Sequence, residues 1–297
     1  NDENELKEPI PDPSNDNDMI IKTWFKEFCQ FVNPPERTRH NTTISAKWVL
    51  DCFLELNTDS AISFGSSNIG LHQVPLSAPK QMDWICQHES ITLDNCAIDK
   101  SLYSNLKACQ KFILVSPQTK TMDFAALIAS LESCTEFHVY DDSDDTSIPW
   151  MLIVDSLVKN KNSIHKVYLE GSMDSESTTK ENQLNGLYQL LEQKPNLTHL
   201  EYKIYREDFD EEESDLDDTL SCDHPSAGEE SDAEEEDDNN DDDKKKPPCP
   251  KTQKVLKLIQ ETSTKLQHLE VDSSLRLNYQ MMRGAISNLL YEREKND

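Results

Sequence analysis

Glycine is scarce in this chain, at six residues in 297. A phosphate-cradling loop needs two or three glycines inside one short turn, and no such cluster occurs. H-E-x-x-H and G-x-S-x-G are also missing, which leaves zinc-protease and hydrolase chemistry without their usual motifs. None of the eight cysteines stands in a C-x-x-C pair, so a structural zinc site has no sequence support. No apolar run approaches the ~20 residues of a membrane span, and no signal-peptide pattern opens the sequence. Basic residues are outnumbered 29 to 57, with no basic stripe and no glycine-flanked aromatic motif. A nucleic-acid backbone would be repelled rather than gripped. Asp141, Asp142, Asp144 and Asp145 are close together but lack the glycine and terminal glutamate of a calcium loop. Cys222-x-His224 lies within a run of acid. These absences predict a non-enzymatic protein, without cofactor or metal, that contacts neither membrane nor nucleic acid directly.

The excess of acid has a local source. Residues Glu207 to Asp243 hold 21 Asp and Glu and no Lys or Arg, against a net charge of -28 for the whole chain. The other 260 residues carry only -7. Such a tract repels itself and has almost nothing apolar to collapse around, so 207–250 is predicted to be a solvated, disordered insert. Ser214, Ser226 and Ser231 each have an acid three residues later, the context of acid-directed kinases, and are candidate phosphorylation sites. The tract suits basic partners such as histones, or serves only to keep the chain soluble. Lys244-Lys245-Lys246 either bounds it or acts as a nuclear import signal.

What is present in quantity is one phrase: an aliphatic residue or Cys, two spacers, an apolar residue, one spacer, another apolar residue. It reads Cys109-x-x-Phe112-x-Leu114, Cys134-x-x-Phe137-x-Val139, Ile164-x-x-Val167-x-Leu169, Leu197-x-x-Leu200-x-Tyr202 and Leu266-x-x-Leu269-x-Val271. A shorter copy is Ile91-x-Leu93. The key residues Ile91, Phe112, Phe137, Val167 and Leu200 lie 21, 25, 30 and 33 apart, and Leu269 follows 69 later. Removing the 37 residues of the acidic tract leaves 32, so the tract falls between one strand and the next helix. Helical stripes precede the phrases: Phe124 to Leu131, then Leu152, Ile153, Leu157 and Val158, then Leu184, Leu187, Leu190 and Leu191, then Val255, Leu256, Leu258 and Ile259. Ile286, Leu289 and Leu290 mark a last helix. A strand and a helix recurring together predict an α/β solenoid of parallel strands backed by helices. An ordinary α/β domain with a parallel sheet is the competing reading. Cys109 and Cys134 stand where Ile164, Leu197 and Leu266 stand, which suggests small hydrophobes in a reducing compartment, cytoplasmic or nuclear.

The phrase resembles the leucine-rich repeat, in the longer ribonuclease-inhibitor-like form that F-box adaptors also carry. The resemblance runs from Trp84 to the C-terminus, apart from the acidic insert. It implies an interaction module whose partner is another protein. The Asn or Cys that such repeats place after the strand is present as Cys96 but not after Val139, Leu169 or Val271, so the turns leaving the strands are predicted to be irregular. Before Trp84, residues 1–18 read as a disordered tail. Residues 19–83 read as helices over Ile20 to Val32 and Ile44 to Leu56, followed from Thr58 to Lys80 by a segment rich in Ser, Gly and Pro that reads as loop, with or without short strands. Those helices are either a cap on the first repeat or the remnant of an F-box. The second possibility implies a substrate-recognition subunit of a ubiquitin ligase, with ligase core subunits as partners.

If each phrase is a strand, its two apolar residues face inward and the alternate residues share the opposite face. The predicted binding residues follow: Lys111, Glu136, Lys166, His199 and His268 in one row; Ile113, His138, Tyr168, Glu201 and Glu270 in the central row; Tyr140 at the start of a third.

Overall fold

A computed structural model describes residues 41–45, 47, 50–51, 54, 68–119, 122–141, 148–160, 163–173, 180–206 and 248–296. Eight strands form one sheet: β1 (Asn41–Ile44), β2 (Asn68–His72), β3 (Ser90–Asp94), β4 (Lys111–Val115), β5 (Glu136–Tyr140), β6 (Lys166–Met173), β7 (His199–Arg206) and β8 (His268–Val271). Every neighbouring pair is parallel and the spatial order equals the chain order. The fold is therefore α/β with an all-parallel sheet backed by helices, consistent with a solenoid-like stack.

Among the described residues, helices lie between the strands, α1 (Pro79–Ile85), α2 (Phe124–Ser130), α3 (Trp150–Lys159), α4 (Lys180–Gln193) and α5 (Pro250–Glu261), and α6 (Tyr279–Asn296) follows the last strand. A 3-10 segment, Lys100–Ala108, takes the helix position between β3 and β4. Local chemistry sets several of their starts. Asp99 and Asp123, and Asp272 ahead of a short 3-10 turn at Ser273–Leu275, each accept a bond from a backbone N–H that the next helical turn leaves unpaired. At α1 the Gln81 side chain accepts from the N–H groups of Ser77 and Ala78, and Pro79 supplies a preset φ. From α1 to α6 each helical element packs against the next in the chain.

The alternation within strands decides which side faces the helices. Ile69 and Leu71, Ile91 and Leu93, Phe112 and Leu114, Phe137 and Val139, and Val167 and Leu169 are all buried. They share one core with Leu127, Trp150, Ile153, Leu187, Leu191, Val255 and Ile259 from the helical layer. Each such side chain contributes about 1.5–3 kcal/mol by leaving water.

The connections are more regular than the sequence predicts. Entering the strands, Thr135 and Glu136 both donate to the Gln110 carbonyl, His165 and Lys166 to Thr135, Thr198 and His199 to His165, and Gln267 and His268 to Thr198. One turn earlier the N–H groups of Cys109, Cys134, Leu197 and Leu266 bond back three residues, to Leu106, Leu131, Lys194 and Ser263. The thiols of Cys109 and Cys134 donate to carbonyls two residues ahead, each at 3.2 Å, so cysteine adds a bond at a position that Ile164, Leu197 and Leu266 fill in the later phrases. Leaving the strands, Gln73, Asn95, Ser116 and Asp141 donate to Asp94, Val115, Tyr140 and Glu170 at 2.8–2.9 Å. Gln73, Asn95 and Ser116 hold φ of 54°, 48° and 41°. Among the described residues a backbone ladder thus leads out of β2 to β5, tolerating left-handed non-glycine residues after β2 to β4; of the exits expected to be irregular it reaches the one after Val139, and residues 142–147 and 174–179 lie outside the described residues.

Two further expectations change. The segment Thr58 to Lys80, read as loop with or without short strands, contains the strand β2 and also the start of α1, and β1 lies before it, so the sheet begins well ahead of Trp84. Lys47, Leu50, Asp51 and Leu54 are helical, in line with the second predicted helix. Cys86, Cys96, Cys109 and Cys134 are free thiols, but Cys249 is disulfide-bonded, so the thiol character expected from Cys109 and Cys134 does not extend to every cysteine. The predicted helix over Ile20 to Val32, the tail, the acidic tract with Ser214, Ser226 and Ser231, and Cys222-x-His224 lie outside the described residues. Among the described residues no helix is long and apolar enough to cross a membrane.

Candidate functional site

The face turned away from the helices carries three rows of side chains, fixed by strand register. Lys111, Glu136, Lys166, His199 and His268 stand side by side across β4 to β8. Ile113, His138, Tyr168, Glu201 and Glu270 form the central row, and Val115, Tyr140, Glu170 and Lys203 the third. All eleven residues singled out from sequence therefore lie on one continuous surface.

Over β5 and β6 this surface is tightly bonded. The Glu136 carboxylate takes ion pairs from Lys111 and, at 3.4 Å, from Lys166. Its Oε1 also accepts from His138 Nε2 at 2.8 Å, while Tyr140 donates its O–H to His138 Nδ1 at 2.7 Å. That pattern requires the neutral Nε2–H tautomer of His138. The imidazole stacks on Tyr168 with centroids 4.0 Å apart and planes 11° from parallel. Burial alone would raise the Glu136 pKa; the bonds from Lys111 and His138 outweigh it and bring the pKa down to about 2. Burial lowers the His138 pKa against the pull of Glu136, so the ring stays neutral near pH 7. Burial, followed by the Glu201 and Glu170 carboxylates, pushes the Tyr140 phenol up to about 12.

Over β7 and β8 a second network forms. Lys203 Nζ lies 3.2 Å from Glu201 and 3.1 Å from Glu270. Burial lowers the Lys203 pKa, but bonds to Glu270 and Glu201 raise it overall. His268 sits 3.7 Å and 3.8 Å from the same two carboxylates. Its ring is 6.0 Å from that of His199, whose pKa is lowered by burial and by Lys166. Glu201, His268 and Glu270 are the one group among the described residues with donor spacing suited to a metal ion. The Lys203 ammonium already supplies positive charge between the two carboxylates.

Over β2 to β4 the same face opens into a hollow of about 380 Å³. Gly70 and Thr92 give it a low floor, Ser90 and Asn68 line one side, and Ile113 and Val115 form an apolar wall. His72 and Asp94 pair at 2.7 Å along its rim. Sequence reasoning placed no definite strand at β2 and so did not single out Asn68, Gly70 and His72. The signal was Ile69-x-Leu71, but Ser66 occupies the position where other phrases carry an aliphatic or Cys. In β3 that position is His88, a buried side chain bonded to the Ile85 carbonyl and packed edge-on against Trp84.

Comparison of the chain with family models, with curated proteins and with solved structures returned no match. The functional reading therefore rests on this surface and on the sequence.

Proposed function

We propose that the chain is a non-enzymatic protein-binding module, built as a degenerate leucine-rich-repeat-like solenoid and acting through the exposed face of its sheet. The observation that carries this reading is the continuity of that face. Strands in unbroken register offer aromatic, cationic and anionic side chains as neighbours, the mixture that suits protein partners. Helices need about 10 Å each where strands need about 4.8 Å, so stacking them together bends the array with the strands on its inside. A concave strip of this kind wraps a partner. Fold likeness alone assigns no activity.

Affinity capture from the native cell extract tests the reading with paired variants of the full chain. Tyr168→Asp and Ile113→Asp alter the strand face, and Leu152→Asp alters an exposed position of α3 on the helical side. A partner lost with the first two and kept with the third supports the reading. Partners retained by both strand-face variants overturn it.

A further inference from the structure

We infer that the centre of the strand face, framed by Tyr140, Tyr168, Glu170 and Glu201, docks an arginine side chain of a basic partner segment. This deepens the protein-binding reading above and rests on it.

Three observations converge. Tyr168 stacks one ring face on His138 of β5, so its other face is turned toward β7, where Glu201 is its register neighbour. A planar guanidinium laid there continues the stack by one layer and gains the attraction between a cation and an aromatic face. Glu170 is exposed and has no ion pair among the described residues, because Lys203, opposite it on β7, is drawn to Glu201 and Glu270 instead. Glu170 and Glu201 sit diagonally on adjacent strands, a separation of about 7–8 Å that a forked guanidinium bridges and a point-like ammonium does not.

The charge balance points the same way. Over β5 to β8 the face presents Glu136, Glu170, Glu201 and Glu270 against Lys166 and Lys203. Lys111 and Lys166 are engaged by Glu136. The unmatched negative charge thus falls on Glu170, midway along β6, and on the Glu201 and Glu270 pair of β7 and β8, which shares one Lys203. The tract of 21 acids begins at Glu207, so further acid follows in the chain directly after β7. A basic segment approaching the face would meet a favourable potential before contact.

The test uses the full chain with ¹³C-labelled tyrosine rings, titrated with acetyl-Gly-Gly-Arg-Gly-Gly-amide and with its citrulline and lysine counterparts. The arginine peptide is expected to shift the Tyr168 and Tyr140 ring signals saturably. Citrulline, the neutral near-isostere, should leave them unmoved, and lysine should bind about five-fold more weakly. Glu170→Gln, at an exposed position, should weaken the arginine peptide about five-fold without changing the melting temperature. A chain with the 21 acids replaced by amides should keep the ring shifts. Equal shifts from citrulline, no response to Glu170→Gln, or shifts that vanish with the tract's charge would each overturn the assignment. If the peptide fails while Tyr168→Asp still loses its cellular partner, only the arginine docking falls and the protein-binding reading stands.

Discussion

Strands β2 to β4 and strands β5 to β8 share a backbone plan but differ in what they present outward. Over β2 to β4 the central row is Gly70, Thr92 and Ile113, and the surface sinks into a hollow lined by Asn68 and Ser90. Over β5 to β8 the same row is His138, Tyr168, Glu201 and Glu270, filled and cross-linked by charge. The inner rows show no such contrast, being aliphatic or aromatic in both halves. Packing is thus a shared constraint of the stack, whereas the outer face is free to differ strand by strand.

That contrast fails first if the two halves differ inside. Phe112→Ala and Phe137→Ala both empty a fully buried site, one in each half, and each should lose about 3–5 kcal/mol in urea unfolding. A much smaller loss for one of them would show that its half is loosely packed. On the outer face the halves should separate. Glu136→Ala strands Lys111 and Lys166 around a partly buried position and should cost about 1.5–3 kcal/mol. Asp94→Ala removes a pair with His72 that is more than a third exposed and should cost less than about 1 kcal/mol.

Acid should discriminate next. The lowered folded pKa of His138 and His199 means the unfolded chain takes up protons first. Their stabilisation is complete above about pH 6.5 and fades as pH falls through their folded values. Glu136 acts the same way lower down: its contribution is complete above about pH 4.5 and is lost on approach to its folded value of about 2. Stability followed by urea titration should therefore fall in two stages from pH 7.5 to pH 2. His138→Phe should diminish the upper stage and Glu136→Gln the lower. The smallest effect belongs to the hollow. Thr92→Tyr places there the residue that β6 carries and should move stability by less than about 0.5 kcal/mol while closing the cavity to ligands.

The sequence made strands β3 to β8 legible because Phe112, Phe137, Val167, Leu200 and Leu269 head a phrase whose period survives removal of the acidic tract. The outer rows followed from period-two alternation alone, and register brings His138 beside Tyr168 and Glu201 beside Glu270. Bonds within the rows were not legible, since Lys203 choosing Glu201 and Glu270 over Glu170 depends on side-chain reach. Strand β2 was hard to place because its Ile69-x-Leu71 pair is preceded by Ser66 where the other phrases carry an aliphatic or Cys. The turn ladder was hidden because Gln73 and Ser116 adopt left-handed backbone without the glycine or asparagine that normally signals it. The 3-10 segment at Lys100–Ala108 gave no helical stripe long enough to read.

Glu201 and Glu270 are neighbours across the sheet although 68 residues separate them, about twice the interval between Tyr168 and Glu201. Closing a loop of doubled length costs only about 0.6 kcal/mol. A coil that answers solely to the coils above and below it can therefore acquire a long polar excursion almost for free, and the position between β7 and α5 is where this chain has room to lengthen, shorten or be rewritten without disturbing its architecture.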